Sequence, residues 1–402
     1  MGLVALILTV ILIVILDRRM YNTYYTPSIF LSVPFLAICI LYDLNAERLG
    51  YYKLNYDVLY IWVFGLFFFW FAGVITNLIV PVKIVPRSTL EKENDVIIFS
   101  KKLTSFTFFL SIILTYFLYN AFRLYITSGG DVVEEYLGKG FQAHLILQLK
   151  FLSIFSFLSL FVKGKKVHKL QSSYIVFVSL ALSVFYGTKS GILLLLISYF
   201  FAWVFFFNKR ITLVHIISAL VFGFGVFYIS YSMVFGDWAP VEDIFNHMIL
   251  YYVSGTAGMN AYFSSFGSTG LEPEMIFRPI FNTIALISGN REEVKVAFSD
   301  IFTNIGEGRV INVRTFFGTL YMYGGTKIAI LAIFIFSFIC HLILKKGLLT
   351  YNLMYLALYT FILSIICFGW FDFYFNSLLF YETIAFALFL NLIFLTKKRN
   401  AT

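Results

Sequence analysis

The chain has 402 residues, 60% hydrophobic and only 13% charged, with a mean hydropathy of +0.87. Soluble domains carry about 25% charged residues, so this composition excludes a water-soluble globular protein and predicts an all-α, polytopic integral membrane protein with no separate soluble domain. The net charge of +9 reads as membrane topology, and with no soluble basic face a nucleic-acid partner is excluded.

A hydrocarbon core of about 30 Å needs roughly 20 apolar residues per helical crossing. By that measure the chain offers eleven candidate spans, approximately residues 2 to 16, 28 to 42, 57 to 80, 103 to 120, 141 to 162, 171 to 186, 191 to 207, 211 to 231, 320 to 344, 348 to 368 and 377 to 395. The first carries no basic n-region and no small-residue cleavage site, so it reads as a retained helix and not as a removed signal peptide. Cys39, Cys340 and Cys367 fall within or at the ends of spans. They supply no disulfide framework and match no metal spacing.

The loops alternate in charge. Arg18, Arg19, Lys83, Arg87, Lys92, Lys101, Lys102, Lys163, Lys165, Lys166, Lys169, Lys209, Arg210, Lys345, Lys346, Lys397, Lys398 and Arg399 all fall on one side, 18 of the 30 basic residues. By the positive-inside rule that side is cytoplasmic, which places the N-terminus outside and the C-terminus inside. The outer face then receives loops 43 to 56, 121 to 140, 187 to 190 and 369 to 376, and one long segment, 232 to 319.

That segment carries Arg278, Arg291, Lys295, Arg309 and Arg314 with nine acids from Asp237 to Glu307. It stays rich in Phe, Tyr and Ile, which predicts short helices lying on or dipping into the membrane face. Residues 245 to 263, with Tyr251 and Tyr252 ahead of Ser254, Gly255, Thr256, Ala257 and Gly258, read as such a piece. Its small residues allow two backbones, or a ligand and a backbone, to approach closely.

Other polar groups lie nearer the spans. The turn Gly187-Thr188-Lys189-Ser190-Gly191 sets Lys189 at an outer helix start, either as an interface anchor or as an anion contact. Arg123 lies at the outer end of the fourth span and joins the candidate substrate-binding cations. Lys150, in the fifth span, and Glu382, in the last, are costly in lipid. Each is either paired with neighbours such as His144, Gln142 or Gln148 or part of a substrate pathway. No His or Cys grouping calls for a metal, no cofactor is expected, and no phosphate-cradling Gly-Lys-Ser/Thr loop suggests ATP-driven transport.

Four patches together resemble the bacterial oligosaccharide repeat-unit polymerases, the Wzy-type O-antigen and capsule polymerases. They are the turn 187 to 191 with the Leu run 193 to 196, the Tyr251 to Asn260 patch, Asn312-Val313-Arg314-Thr315-Phe316-Phe317 running into Tyr323-Gly324-Gly325, and the late position of the largest outer loop. The family's Arg-x10-Gly spacing recurs twice, at Arg278 with Gly289 and at Arg314 with Gly325, while Lys189 stands where relatives commonly place Arg.

The resemblance implies glycosyl transfer from an undecaprenyl-diphosphate-linked oligosaccharide to another lipid-linked repeat, at the outer face of the bacterial inner membrane, with a chain-length regulator as partner. It casts Arg278 and Arg314 as catalytic cations for the leaving diphosphate, with Lys189, Arg291 and Arg309 as helpers. His247 becomes the general base, with Asp243, Glu272 and Glu274 as competitors. Tyr251, Tyr252, Tyr262 and Trp238 serve either to stack on sugars or as belt anchors. An O-antigen ligase, a lipid-linked oligosaccharide flippase or secondary transporter, and an acyltransferase acting on surface glycans are the rival readings.

Overall fold

A backbone buried in hydrocarbon must satisfy its own N–H and C=O groups, and long uncharged runs of Phe, Leu and Ile do so as helices. The computed structural model follows that rule almost throughout. It describes residues 1–81, 89–185, 189–209, 241–266, 272–295, 301–349 and 352–395, together with Gly270 and scattered positions from 211 to 228. In chain order these form α1 (Gly2–Tyr21), α2 (Pro27–Asn45), α3 (Tyr60–Ile79), α4 (Thr89–Ser128), α5 (Gly130–Gly138), α6 (Gly140–Phe161), α7 (Lys166–Phe185) and α8 (Lys189–Phe206). They continue with α9 (Val241–Phe266), α10 (Arg278–Ile287), strands β1 (Thr303–Gly306) and β2 (Arg309–Ile311), α11 (Phe316–Leu344), α12 (Leu353–Cys367) and α13 (Leu378–Leu395).

Among the described residues, six helical stretches are long and apolar enough to cross a membrane: Pro27–Asn45, Tyr60–Ile79, Lys101–Ser128, Gly140–Phe161, Lys166–Phe185 and Phe316–Leu348. Gly191–Phe206, Leu353–Cys367 and Leu378–Ile393 are apolar but shorter. This is the architecture of a multi-pass α-helical membrane protein, and the described residues do not confirm the expected count of eleven spans. The expected first span lies in a helix that runs on through Asp17, Arg18 and Arg19 to Tyr21, and the expected eighth, 211 to 231, lies outside the fully described residues.

The chain divides into two units, the first comprising Met1–Pro81, Ala239–Leu344 and Ile365–Tyr381. In it α3 runs closely along α11, because Gly65 and Gly73 leave room for Phe317 and His341. A Cβ at either glycine would come within 2.5 or 2.6 Å of those rings. Phe35 stacks on Trp62 at 3.4 Å, and Phe317 meets the Trp62 ring edge-on. Buried polar groups tie the helices as interhelical bonds do in lipid: the Tyr21 hydroxyl donates to Gly73 O at 3.0 Å, and Ser28 Oγ lies 3.2 Å from His341 Nε2.

The 232 to 319 segment differs from the short helices expected there. Residues 241 to 266 form one continuous 26-residue helix, α9. Its glycines are contact points and not breaks: a Cβ on Gly255 would strike the carbonyls of Trp370 and Phe371, and one on Gly258 the carbonyl of Val313. Beyond it, α10 is a short helix of ten residues. Ile280, Ile284 and Ile287 expose an apolar row at helical spacing, the pattern of a helix lying in a membrane interface. The antiparallel β1–β2 hairpin, with Thr303 opposite Ile311, was not foreseen.

The second unit comprises Val82–Trp238, Lys345–Ser364 and Glu382–Thr402. Its α4, α6 and α7 pack together, with α8 against α6 and α7. Small hydroxyls join them: Tyr199 donates to Ser153 Oγ at 2.7 Å, Ser179 to the same oxygen at 3.3 Å, and Ser198 to Ser364 Oγ at 2.9 Å. Near one end of α6, His144 Nδ1 lies 2.8 Å from Glu382 Oε2, and Gln148 Nε2 donates to Glu382 Oε1 at 3.4 Å.

Candidate functional site

The first unit's candidate site begins at Thr315. Its φ of +67° is a left-handed conformation that β-branched residues rarely adopt. Its hydrogen bonds hold it there, including one from Oγ1 to Met259 Sδ at 3.4 Å. Thr315 N donates to Phe371 O at 3.1 Å, and its Oγ1 accepts from Trp62 Nε1 at 3.0 Å and from Gly318 N at 3.3 Å. The last of these caps the start of α11.

The strained junction sits beside Arg314, whose side chain is buried at 1% exposure. Arg314 donates through Nη1 to Asn312 O at 3.1 Å, and through Nη2 to Thr303 Oγ1 at 2.7 Å and to Ile301 O. The guanidinium lies 4.9 Å from the centre of the Tyr262 ring, and its Nε is buried with no hydrogen-bond partner among the described residues.

A second guanidinium comes from the first position of α10. Arg278 is half-buried and donates to the carbonyl of Asn376 from Nη2 at 3.0 Å and from Nε at 3.3 Å. Burial lowers the pKa of both arginines, while the Tyr323 phenol acts on both in the opposite direction. The two cations therefore share a neighbour on α11. Among the described residues, neither has a carboxylate oxygen within 4.0 Å.

The connection carrying Asn376 also carries Asp372. Its Oδ1 accepts from Thr319 Oγ1 and from Phe373 N, each at 2.8 Å. Burial raises this carboxyl above the ordinary aspartate value, and these hydrogen bonds and the charge of Arg314 moderate the rise. The result is two guanidiniums answered by neutral acceptors, with one carboxyl of raised pKa in reach of the field of Arg314. Such an arrangement can receive an anion and accept a proton.

Both Arg-x10-Gly spacings now have a local cause. Arg278 opens α10 and Gly289, at φ +82°, follows its end. Arg314 directly precedes the α11 cap, and Gly325, at φ +57°, breaks that helix.

The remaining candidates are placed as follows. Tyr251 stacks on Phe371 at 4.6 Å and Tyr252 on Trp370 at 5.4 Å, so both clasp the connection that bears Asp372. Arg309 donates to the Tyr51 hydroxyl at 2.9 Å and lies over that ring. Arg291 is exposed on the turn Arg291–Glu293. Glu272 pairs with Lys295 at 3.6 Å, and Glu274 is exposed. His247 is on α9 fifteen residues before Tyr262, about 22 Å of helix rise, which separates it along α9 from the ring beneath Arg314. Lys150, buried in α6, and Arg123, exposed on α4, belong to the second unit, as does Lys189 at the start of α8. Gly187, Thr188, Trp238 and the side chains of Lys189 and Asp243 lie outside the described residues. No three His, Cys, Asp or Glu side chains converge as metal ligands among the described residues.

Asp372 was missed because attention went to the long segment. The available signal was a lone acid among Trp370, Phe371, Phe373, Tyr374 and Phe375.

Residues 50–402 match a family model described as "Family of unknown function (DUF6337)". No curated protein and no solved structure matches the chain.

Proposed function

The chain belongs to the DUF6337 family, and from that premise we propose that it is a membrane glycosyltransferase, a polymerase of lipid-linked oligosaccharide repeat units that uses an undecaprenyl-diphosphate-linked donor. The observation that carries this reading is the pair Arg278 and Arg314, the first half-buried and the second buried, both answered by neutral acceptors. Burying such charges costs several kcal/mol unless something compensates them, and a diphosphate is the natural counter-charge for two guanidinium forks. The protein works at the outer face of a bacterial inner membrane, with its N-terminus outside and its C-terminus in the cytoplasm.

In this reaction the bond between the donor sugar's C1 and the diphosphate oxygen breaks, and the diphosphate leaves with the electron pair. Arg314 and Arg278 neutralise the charge that develops on it. The acceptor hydroxyl oxygen forms the new bond to C1, and its proton passes to the Asp372 carboxylate. Asp372 replaces His247 as the base in this scheme because it lies within the field of Arg314. Its raised pKa also moves it toward the working pH, where general bases are most effective.

A gel of surface polysaccharide tests the reading. In a deletion strain complemented with Arg314→Lys, the long-chain ladder is expected to vanish while a single capped repeat remains. Loss of all capped lipid A would reassign the protein as a ligase, and an unchanged ladder at normal membrane abundance would refute the role of the arginines.

A further inference from the structure

Within the first unit, α3 and α11 flank a cavity of about 570 Å³, inside the range of small-molecule sites, about 300 to 1,000 Å³. Its lining changes character along the helices. Phe64 and Phe68 of α3 supply aromatic walls, whereas Asn55 and Asp57, just before α3, and Tyr321 and Thr326, on either side of the break at Gly325, supply polar groups. Among the described residues, no Lys, Arg or His lines it.

These side chains restrict what can bind. A carboxylate with no cation beside it repels phosphate, and every phospholipid headgroup carries one. Amide, carboxylate and hydroxyl groups set against aromatic rings suit a molecule that has many hydroxyls and an apolar face, which is a sugar ring. The polar end is preorganised. Asn55 N donates to Asn260 Oδ1 at 2.7 Å, Asn55 Nδ2 donates to Ser264 Oγ at 3.3 Å, and Asp57 N donates to Asn55 Oδ1 at 3.0 Å. Ordering of this turn therefore need not be supplied by the ligand.

The cavity and the arginines draw on the same helices. Phe263, which lines it, follows Tyr262, which lies under Arg314, and Tyr321 stands two residues before Tyr323.

We propose that this cavity is a binding subsite for neutral sugar residues, the phosphate-free end of the acceptor glycan. The word acceptor rests on the glycosyl-transfer reading, whereas the assignment to neutral sugar rests on the lining alone.

The test is photo-crosslinking of the full-length protein in membranes of the cells that produce it. p-Benzoylphenylalanine is placed at Phe68 and, separately, at Phe263, with lipid-exposed Phe109 of α4 as the control, and adducts are identified by mass spectrometry. Glycan-bearing adducts are expected at the two cavity positions and phospholipid adducts at Phe109. Phospholipid alone, or no adduct, at both cavity positions overturns the proposal. Asp57→Lys should lower the glycan adduct yield at least tenfold, and an unchanged yield also counts against it. If glycan adducts form while Arg314→Lys leaves the polymer ladder intact, the glycosyl-transfer reading fails and the sugar subsite stands.

Discussion

Each unit holds a charged cluster with at least one largely buried member, Arg314 in the first and Glu382 in the second, and the two are built differently. In the second unit Glu382, 17% exposed, faces His144 at 2.8 Å and accepts from Gln148. Its lone pairs are answered by neighbours on α6, as expected of a structural polar contact. In the first unit, among the described residues, Arg314 is held by two carbonyls and a hydroxyl, Arg278 by a single carbonyl, and the Nε of Arg314 by nothing. Carbonyl dipoles orient a guanidinium without cancelling its charge. A cluster closed on itself supports the fold, whereas one left electrically open is prepared for an anion.

The sharpest break of this contrast is Arg314→Lys. It keeps the charge and removes the fork, and chain extension should fall about 10²- to 10³-fold, the usual loss of one transition-state donor. Extension per molecule, measured against membrane abundance, checks it, and a normal rate would leave the open cluster without a role. Next is Asp372→Asn, expected to cost about 10²-fold, at the low end of general-base effects. The raised pKa of Asp372 gives this variant a second readout. A base must be ionised, so wild-type activity should decline as pH falls through a value above the ordinary aspartate range of about 3.9. That acidic limb should be absent in the residual activity of the variant. The sign for stability is opposite, because a buried carboxyl of raised pKa contributes more stability once protonated, so the fold gains as pH falls through the same value.

The sequence made the membrane character, most of the helices and the two arginines legible, because hydropathy and charge are local properties. It did not make the site's assembly legible. Phe371 O bonds Thr315 N, and Asn376 O receives Arg278 across 98 positions of chain; contacts of that range leave no periodic trace. The Gly and Ser run of α9 was visible but ambiguous, since close backbone approach and a helix break require the same residues. Only the positions of the Val313, Trp370 and Phe371 carbonyls decide between them.

A smaller effect is expected at the break in α11. Gly325 has φ +57° and ψ −170°, and a Cβ there would meet nothing nearer than 3.5 Å. Gly325→Ala therefore carries a backbone cost and no clash, about 1 to 3 kcal/mol. Thermal unfolding in detergent should register it, and chain extension should fall with it, because the break sets Tyr321 and Tyr323 on one side and Thr326 on the other. An alanine variant as stable and active as the parent would show that the break does not help to position the site.

The smallest effect should come from the closed cluster. In Glu382→Gln the amide can still accept from Gln148, and what is lost is the charge facing His144. That imidazole is 45% exposed, and ion pairs with such access to solvent contribute about 0 to 1 kcal/mol. Stability should drop by no more than this, with chain extension unchanged. A loss approaching that of Arg314→Lys would mean that Glu382 contributes to turnover after all. The contrast between a closed structural pair and an open anion site would then have to be replaced by a mechanism that draws on both units.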